Sequence, residues 1–288
     1  MPTARLRHEP RRRAVSSLAA LAIAACATLI GTSSAPAASA RPSRFVSIWV
    51  PYWDSTAGAG SYSSNANADL YTEVSPFYLQ AVGSGAVVTV SGYQTQFNKS
   101  VTLARSKGLK VIPTITDATG KLGMQQILAS SSLRAAHVAN LVNAVITGTS
   151  GTSWDGIDLD YENFAFTDSQ LSWDKTMPLW VQFISDLSTA LHAEGKLLSV
   201  TIPPVWHKAP NTDYWVYAQD QILPLVDRLR LMVYDWSPNT PSATAPITWV
   251  RDVVTHSTAV AVATGQPLTK LILGVPAYGR HWRRAVNG

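Results

Sequence analysis

The residues best suited to chemistry stand in one short acidic segment in the middle of the chain. Residues 155–162 read Asp-Gly-Ile-Asp-Leu-Asp-Tyr-Glu, an alternation of acidic and apolar side chains. On a β-strand successive side chains point to opposite faces, so the apolar side chains would face a hydrophobic layer. The acidic side chains would then point together into the interior of a barrel: Asp158, Asp160 and Glu162.

The spacing of these carboxyls predicts acid catalysis. Side chains two residues apart on a strand are separated by roughly 6.5–7 Å, and three carboxyls so close in a poorly solvated interior cannot all ionise. At least one should hold a proton near neutral pH, as a general acid must. Glu162 stands last, at the carboxyl end of the strand, where barrel enzymes keep their catalytic residues.

Two other interpretations of the segment are a solvated acidic edge and a metal site. A solvated edge does not account for the strict apolar alternation. A metal site would usually recruit histidine, or carboxylates from several elements, and no histidine lies nearby in the sequence. We therefore expect neither a metal nor a cofactor.

Seven short runs of apolar, β-branched and aromatic residues predict the strands that would position this segment. They cover residues 45–53, 74–82, 110–116, 154–162, 197–203, 228–235 and 271–278. Apolar residues spaced three and four apart predict helices between several of them, within 133–145, 180–191 and 249–260. This alternation predicts an α/β fold with a parallel sheet, a (β/α)8 TIM barrel in one domain.

The strand pattern stops after the seventh run, whereas a closed barrel needs eight strands. The sequence ends at Gly288, so we expect a barrel truncated after the seventh strand, with unpaired edges on its first and last strands. Between the first two runs, residues 55–67 are rich in Gly, Ser and Asn and predict a loop.

The first 40 residues have the composition of a signal peptide. Arginines come first, an apolar run covers 14–30, and Ala38-Ser39-Ala40 forms a small-x-small cleavage site. The catalytic domain would then cover residues 41–288, secreted and without a membrane span after cleavage. The single cysteine, Cys26, lies in the apolar run; a lipoprotein attachment site is the alternative to a plain signal core.

The charge of the chain argues against nucleic acid as a partner. The net charge is +5, but five arginines and one glutamate in residues 1–40 account for most of it. The remainder is close to neutral and offers no strongly basic surface. With 46% apolar and 14% charged residues, the chain can bury a large core, and we expect a monomer.

The acidic segment resembles the signature of glycoside hydrolase family 18, which includes the chitinases. Two further segments agree in order and spacing. Met232-Val233-Tyr234-Asp235 is similar to the family's Met-x-Tyr-Asp, and residues 274–280 are similar to its Gly-x-Pro-x-Tyr-Gly-Arg. The resemblance implies a glycosidase that hydrolyses β-1,4 linkages in polymers containing N-acetylglucosamine.

The resemblance also implies a retaining, substrate-assisted mechanism. Glu162 would protonate the leaving oxygen while the acetamido carbonyl of the substrate attacks the anomeric carbon. Asp160 would orient the acetamido N–H, and Asp158 would share a proton with Asp160. Tyr234 would donate its hydroxyl to the acetamido oxygen, and Asp235 would help to hold the sugar. The family's eighth strand normally brings a tryptophan to the floor of the site, and no counterpart is visible in this sequence.

Aromatic residues at the strand ends are candidates for stacking on sugar rings. We predict substrate contacts from Tyr52, Trp236 and Tyr278, with Trp53 and Trp206 as weaker candidates. Each of them could instead pack at the mouth of the barrel. Arg280 would either bind substrate or pair with an acid at the rim.

The identity of the polysaccharide stays open between chitin, or chito-oligosaccharides, and peptidoglycan. Residues 163–166 (Asn-Phe-Ala-Phe) look like those of bacterial cell-wall-lytic members, and we find no hairpin domain that would deepen the groove. A non-catalytic, lectin-like barrel that binds chitin or peptidoglycan is the alternative to an enzyme. Such lectins lose the acid, whereas Glu162 is present.

Overall fold

The computed structural model describes residues 44–54, 62–63, 68–206 and 213–282. The predicted signal peptide over 1–40 and most of the predicted loop over 55–67 lie outside the described residues. None of the helices within the described ranges is both long and apolar enough to cross a membrane.

Short strands alternate with helices along the described chain. The strands are β1 (Ser47–Pro51), β2 (Glu73–Val82), β3 (Ala86–Thr89), β4 (Lys110–Val111), β5 (Thr114–Asp117), β6 (Gly156–Asp160), β7 (Leu197–Ile202), β8 (Arg228–Leu231) and β9 (Leu271–Leu273). The helices are α1 (Gln94–Ser106), α2 (Gly123–Ala129), α3 (Ser131–Thr147), α4 (Asn163–Phe166), α5 (Trp173–Ala193), α6 (Gln219–Ile222) and α7 (Ile247–Ala263).

The sheet has the predicted parallel architecture. Seven strands pair in the order β1-β2-β5-β6-β7-β8-β9, and every pair along this path is parallel. Among the described residues, β1 and β9 each pair with a single neighbour. The sheet curves enough for Arg230 on β8 to reach Glu73 on β2. The α/β barrel architecture and all seven predicted strands are therefore confirmed.

Two features depart from the predicted strand pattern. The run over 110–116 is divided between β4, which pairs with β2, and β5, because Ile112 and Pro113 interrupt it. The antiparallel strand β3, which the sequence pattern did not predict, forms a hairpin with β2. Its turn needs Gly85, whose φ is +95° and where a Cβ atom would lie 2.8–2.9 Å from the ring of His137.

Several of the predicted strands end earlier than the sequence pattern indicates. β6 ends at Asp160, β8 at Leu231 and β9 at Leu273, so most of the predicted site residues lie on the loops that follow the strands. Glu162 has φ −108° and ψ −18° and directly precedes α4. It therefore does not continue the strand alternation, although Asp158 and Asp160 do.

The apolar face of β6 packs against the helical layer as predicted. Ile157 and Leu159 are fully buried in the core, together with apolar residues of α5 that recur at helical spacing: Trp180, Phe183, Ile184, Leu187 and Leu191. Complete burial of a large apolar side chain stabilises a fold by about 1.5–3 kcal/mol. This packing fixes the inward direction of the acidic side chains.

Candidate active site

Asp158 lies inside the barrel and is surrounded by hydrogen-bond donors. The residue is fully buried. Its Oδ2 atom accepts hydrogen bonds from Thr114 Oγ1 at 2.9 Å and from Trp49 Nε1 and Arg230 Nη1, each at 3.1 Å. Its Oδ1 atom accepts from Thr201 Oγ1 at 3.0 Å. Four strands thus supply donors to one carboxyl group, whose two oxygens act as hydrogen-bond acceptors.

Asp160, two residues later on β6, has a different environment. It is 5% exposed, and its Oδ1 atom has no hydrogen-bond partner among the described residues. Burial raises the pKa of Asp160 well above its usual range, and the nearby charges of Glu162 and Asp158 raise it further. Asp160 therefore has the properties of the protonated carboxyl that the sequence predicts.

Glu162 is half-buried beside Asp160, and the two side chains share a hydrogen bond. Burial raises the pKa of Glu162, whereas the hydrogen bond from Asp160 lowers it. Burial and the neighbouring carboxyl both favour the protonated form of Asp160, which lies within hydrogen-bonding reach of Glu162 at the carboxyl end of β6.

The backbone between these two acids is anchored at Tyr161. The Tyr161 hydroxyl lies 2.9 Å from Nε2 of His137, whose Nδ1 lies 2.7 Å from the carbonyl oxygen of Gly85. The Tyr217 hydroxyl donates to the Tyr161 carbonyl oxygen at 2.8 Å. Both tyrosines are fully buried. Burial lowers the pKa of His137, which favours a neutral imidazole whose Nε2 atom accepts a hydrogen bond from the Tyr161 hydroxyl.

Tyr234 follows β8 and faces the acids. Burial raises the pKa of its hydroxyl, and the charges of Asp160 and Glu162 raise it further. Its ring meets that of Tyr278 edge-on, with 6.4 Å between centroids. The backbone at Gly274 passes close to the same ring, since a Cβ atom there would lie 3.0 Å from Tyr234 Cε1. Tyr234 is thus held as a hydroxyl donor at the mouth of the barrel.

Asp235 joins the loops after β8 and β9. Its φ is +55°, in the left-handed region that few residues other than glycine adopt. Arg280 Nη2 donates to Asp235 Oδ1 at 2.8 Å. Burial and a hydrogen bond to Asp235 raise the pKa of Tyr278 to about 12. Asp235 is therefore contacted by Tyr278 and Arg280, both on the loop after β9.

The profile of the family Glycosyl hydrolases family 18 matches residues 48–288. The chain belongs to this family. It is 26% identical over 193 residues to a protein named sporulation-specific glycosylase YdhD of Bacillus subtilis (strain 168). The aligned region covers 65% of this chain and 42% of that protein. The chain thus spans less than half the length of this curated relative.

Solved structures have a similar fold. A chitinase from Chromobacterium violaceum has a TM-score of 0.66 at 23% identity, over 82% of this chain and 69% of that chain. The spore cortex-lytic enzyme SleL of Bacillus megaterium has a TM-score of 0.63 at 17% identity, over 81% of this chain and 50% of that chain. At these identities the likeness establishes the barrel architecture.

The family 18 barrel brings most of the predicted site residues into contact. Asp160, Glu162, Tyr234, Asp235 and Tyr278 form one connected group, with Asp158 below them. Their catalytic and binding roles stay predictions. Of the two alternatives for Arg280, the structure shows the ion pair with an acid at the rim.

The remaining predicted aromatic residues lie in two other groups. Trp236 is 46% exposed and packs at 5.0 Å against Trp249, which also contacts Trp206. Tyr52, on the turn after β1, packs edge-on against Trp53 and Tyr93. Exposure makes the Trp236 ring available for stacking, whereas the Tyr52 ring is engaged by two neighbours.

Sequence reasoning missed the residues that hold the acidic segment from other elements. Asp158 is bound from other strands by Trp49, Thr114, Thr201 and Arg230, and the backbone at Tyr161 is held by Tyr217 from a short helix. One signal was available, because Arg230 is a charged residue in the middle of a predicted strand. Among the described residues, no three His, Cys, Asp or Glu side chains are grouped as a metal site.

Proposed function

We propose that this family 18 protein is a glycoside hydrolase that cleaves β-1,4 linkages in polymers containing N-acetylglucosamine. The observation that carries the proposal is the Asp160–Glu162 pair at the carboxyl end of β6, two hydrogen-bonded carboxyls whose pKa values are both raised by burial. A raised carboxyl pKa is what a general acid needs. The pair stands at the carboxyl ends of the strands, where barrel enzymes bind their substrates.

The proposed reaction is retaining and substrate-assisted. Glu162 gives its proton to the glycosidic oxygen as the bond from that oxygen to the anomeric carbon breaks. The acetamido carbonyl oxygen of the same sugar bonds to the anomeric carbon and forms an oxazolinium ion. A water oxygen then attacks that carbon from the vacated side, its proton returns to Glu162, and the acetamido group is released.

Two neighbouring groups fit the charge that develops during this reaction. Asp160 would accept the acetamido N–H and stabilise the positive charge of the ring. Tyr234, whose raised pKa keeps its hydroxyl protonated, would donate to the acetamido oxygen. Both groups are held in place before substrate arrives, the condition under which electrostatic stabilisation is most effective.

Chitin and peptidoglycan both contain N-acetylglucosamine, and both remain candidate substrates. The similar structures include chitinases and a spore cortex-lytic enzyme. Trp236 on the loop after β8 and Phe166 at the end of α4, each about half exposed, offer aromatic faces for either polymer.

The test is to assay purified protein against chito-oligosaccharides and purified peptidoglycan, with Glu162→Gln as the matched control. We expect release of products with retained anomeric configuration from one of the polymers. Glu162→Gln should lower turnover by about 10²–10⁴-fold, the contribution of a positioned general acid. Binding of the sugar, measured by tryptophan fluorescence, should be retained.

Two outcomes would count against the proposal. Hydrolysis by Glu162→Gln at the wild-type rate would remove Glu162 from its role. A folded wild-type protein that binds one of the polymers and cleaves neither would favour the lectin-like barrel.

We also propose that the protein is exported, because residues 1–40 have the composition of a signal peptide. Mass spectrometry of the protein from the culture medium should find an amino terminus at Arg41. A lipid-modified terminus at Cys26 would favour the lipoprotein alternative, and an intact Met1 found only inside the cells would contradict export.

A further inference from the structure

Arg230 is a buried arginine for which the reaction above has no role. It is 1% exposed, and its side chain extends from β8 across the interior of the barrel. Its guanidinium donates to Glu73 Oε1 at 2.5 Å, to Ser75 Oγ at 2.8 Å and to Asp158 Oδ2 at 3.1 Å. It therefore connects β2 with the first acid of the catalytic segment on β6.

The partners of Asp158 limit where a proton can lie. Arg230 and Trp49, two of the donors to its Oδ2 atom, carry no acceptor, so a proton on that atom would face two N–H groups. The remaining contacts of Asp158 are the hydroxyls of Thr114 and Thr201. The surrounding donors thus favour Asp158 as a hydrogen-bond acceptor.

Arg230 also pairs with a second buried acid. Glu73, fully buried, pairs with Arg230 and, at 3.0 Å, with Arg228. The guanidinium of Arg230 also lies 5.3 Å from the centre of the Trp49 ring. Two arginines thus face the carboxyl groups of Glu73 and Asp158 in the lower interior, and Asp160 is the next carboxyl above them.

We propose that Arg230 is a positioning residue that keeps Asp158 occupied as an acceptor, so that the single proton of the acidic segment stays between Asp160 and Glu162. The inference deepens the proposed function and rests on it for its catalytic consequence. When the acetamido N–H of a substrate donates to Asp160, the proton of Asp160 passes to Glu162, which then delivers it to the leaving oxygen. Without Arg230, Asp158 competes for that proton.

The kinetic test compares Arg230→Gln with Arg228→Gln. Arg228 lies two residues away on the same strand and pairs with Glu73, and no hydrogen bond to Asp158 is described for it. For Arg230→Gln we expect kcat to fall about tenfold to a hundredfold, part of the 10²–10⁴ supplied by a positioned acid, with KM unchanged. The acid limb of the pH profile should move up by roughly 1–3 pH units, because the guanidinium no longer opposes uptake of a second proton by the three carboxyls.

Arg228→Gln should move the acid limb less than Arg230→Gln does, because Arg228 acts on Asp158 through its charge and without a described hydrogen bond. Arg230→Lys should restore part of kcat because it returns the positive charge. Arg230→Gln leaves Glu73 buried with one partner fewer, which can destabilise the fold. The double variant Arg230→Gln/Glu73→Gln removes both side-chain charges, so it does not leave an acidic side chain buried without its arginine partner. An acid limb that stays unmoved in folded Arg230→Gln and in the double variant would overturn the proposal.

A second measurement does not depend on hydrolysis. Carbon-13 NMR of aspartate-labelled protein, with Asp158→Asn to assign the signal, reports whether the Asp158 carboxyl carries a proton. We expect an ionised carboxylate in the wild type from neutral pH into the acid range in which the fold persists, and earlier proton uptake in the Arg230 variants. A protonated Asp158 in the neutral wild type would overturn the inference. If the NMR result holds while no polymer is cleaved, the proposed function fails and the inferred action of Arg230 on Asp158 stands.

Discussion

Asp158 and Asp160 stand two residues apart on the same strand, but their carboxyl groups have opposite electrostatic and hydrogen-bonding environments. Below, around Asp158, every polar contact described is with a donor, and two arginines pair with the acidic side chains. Above, around Asp160, one oxygen has no described partner and the neighbouring groups are acidic or phenolic. The lower region favours a fixed charge, whereas the upper region favours a mobile proton. The proton that the proposed reaction needs is therefore expected on Asp160 and Glu162, above the carboxyl groups that pair with arginines.

The largest expected effect concerns the lower region. Glu73→Ala would leave Arg230 and Arg228 without their shared carboxylate, and loss of one partner of a buried ion pair costs about 3–5 kcal/mol. We expect the free energy of unfolding, measured by urea denaturation, to fall by that amount. A loss below about 1 kcal/mol, typical of an exposed ion pair, would contradict the view of this region as a tightly paired interior.

Asp160→Asn tests the upper region. The amide has the size of the carboxyl and no charge, so it should fold normally and stabilise the developing positive charge less well. We expect kcat to fall by about 10²–10³-fold, the loss typical of removing one preorganised electrostatic group. Circular dichroism should show an unchanged fold. Wild-type turnover in this variant would show that Asp160 takes no part in the reaction.

The pH dependence of stability should separate the two regions further. The pKa of Asp160 is raised in the folded protein, so the folded state binds the proton more tightly than the unfolded state, in which the pKa of Asp is about 3.9. Stability is then lost as the pH rises from about 3.9 towards the raised pKa, by up to about 1.4 kcal/mol per pH unit.

Asp160→Asn does not titrate, so the free energy of unfolding of the variant relative to wild type should increase with pH across this window. Urea denaturation at several pH values measures both free energies of unfolding. Subtracting the wild-type value from the value of the variant at each pH removes the contributions of the other titrating groups. A difference that is independent of pH would show that Asp160 titrates in the folded state as it does in the unfolded chain.

The smallest effect is expected at the rim. The ion pair of Arg280 with Asp235 joins side chains that are 37% and 36% exposed. An exposed pair contributes about 0–1 kcal/mol, so Arg280→Gln should lower the free energy of unfolding by less than about 1 kcal/mol. A loss as large as that of Glu73→Ala would mean that the rim is as tightly coupled as the interior.

The fold and the acidic segment could be predicted because they depend on local periodicity. Alternation places Ile157 and Leu159 on one face and Asp158 and Asp160 on the other whatever the rest of the barrel does. Helical spacing predicted α3, α5 and α7 for the same reason. The hairpin strand β3 escaped prediction because it is short and half-exposed, and because a contact between Gly85 and His137, distant in sequence, shapes its turn.

The sequence by itself determined the order of the strands, the three acids and the motifs that place this chain in family 18. Only the tertiary structure decided how the acids differ from one another. Asp158 and Asp160 have the same side chain and the same strand parity, and their properties diverge because Trp49, Thr114, Thr201 and Arg230 arrive from four other strands at one of them. Charge, burial and hydrogen bonding at a buried carboxyl depend on groups brought together by folding, so no local pattern in the chain carries that information.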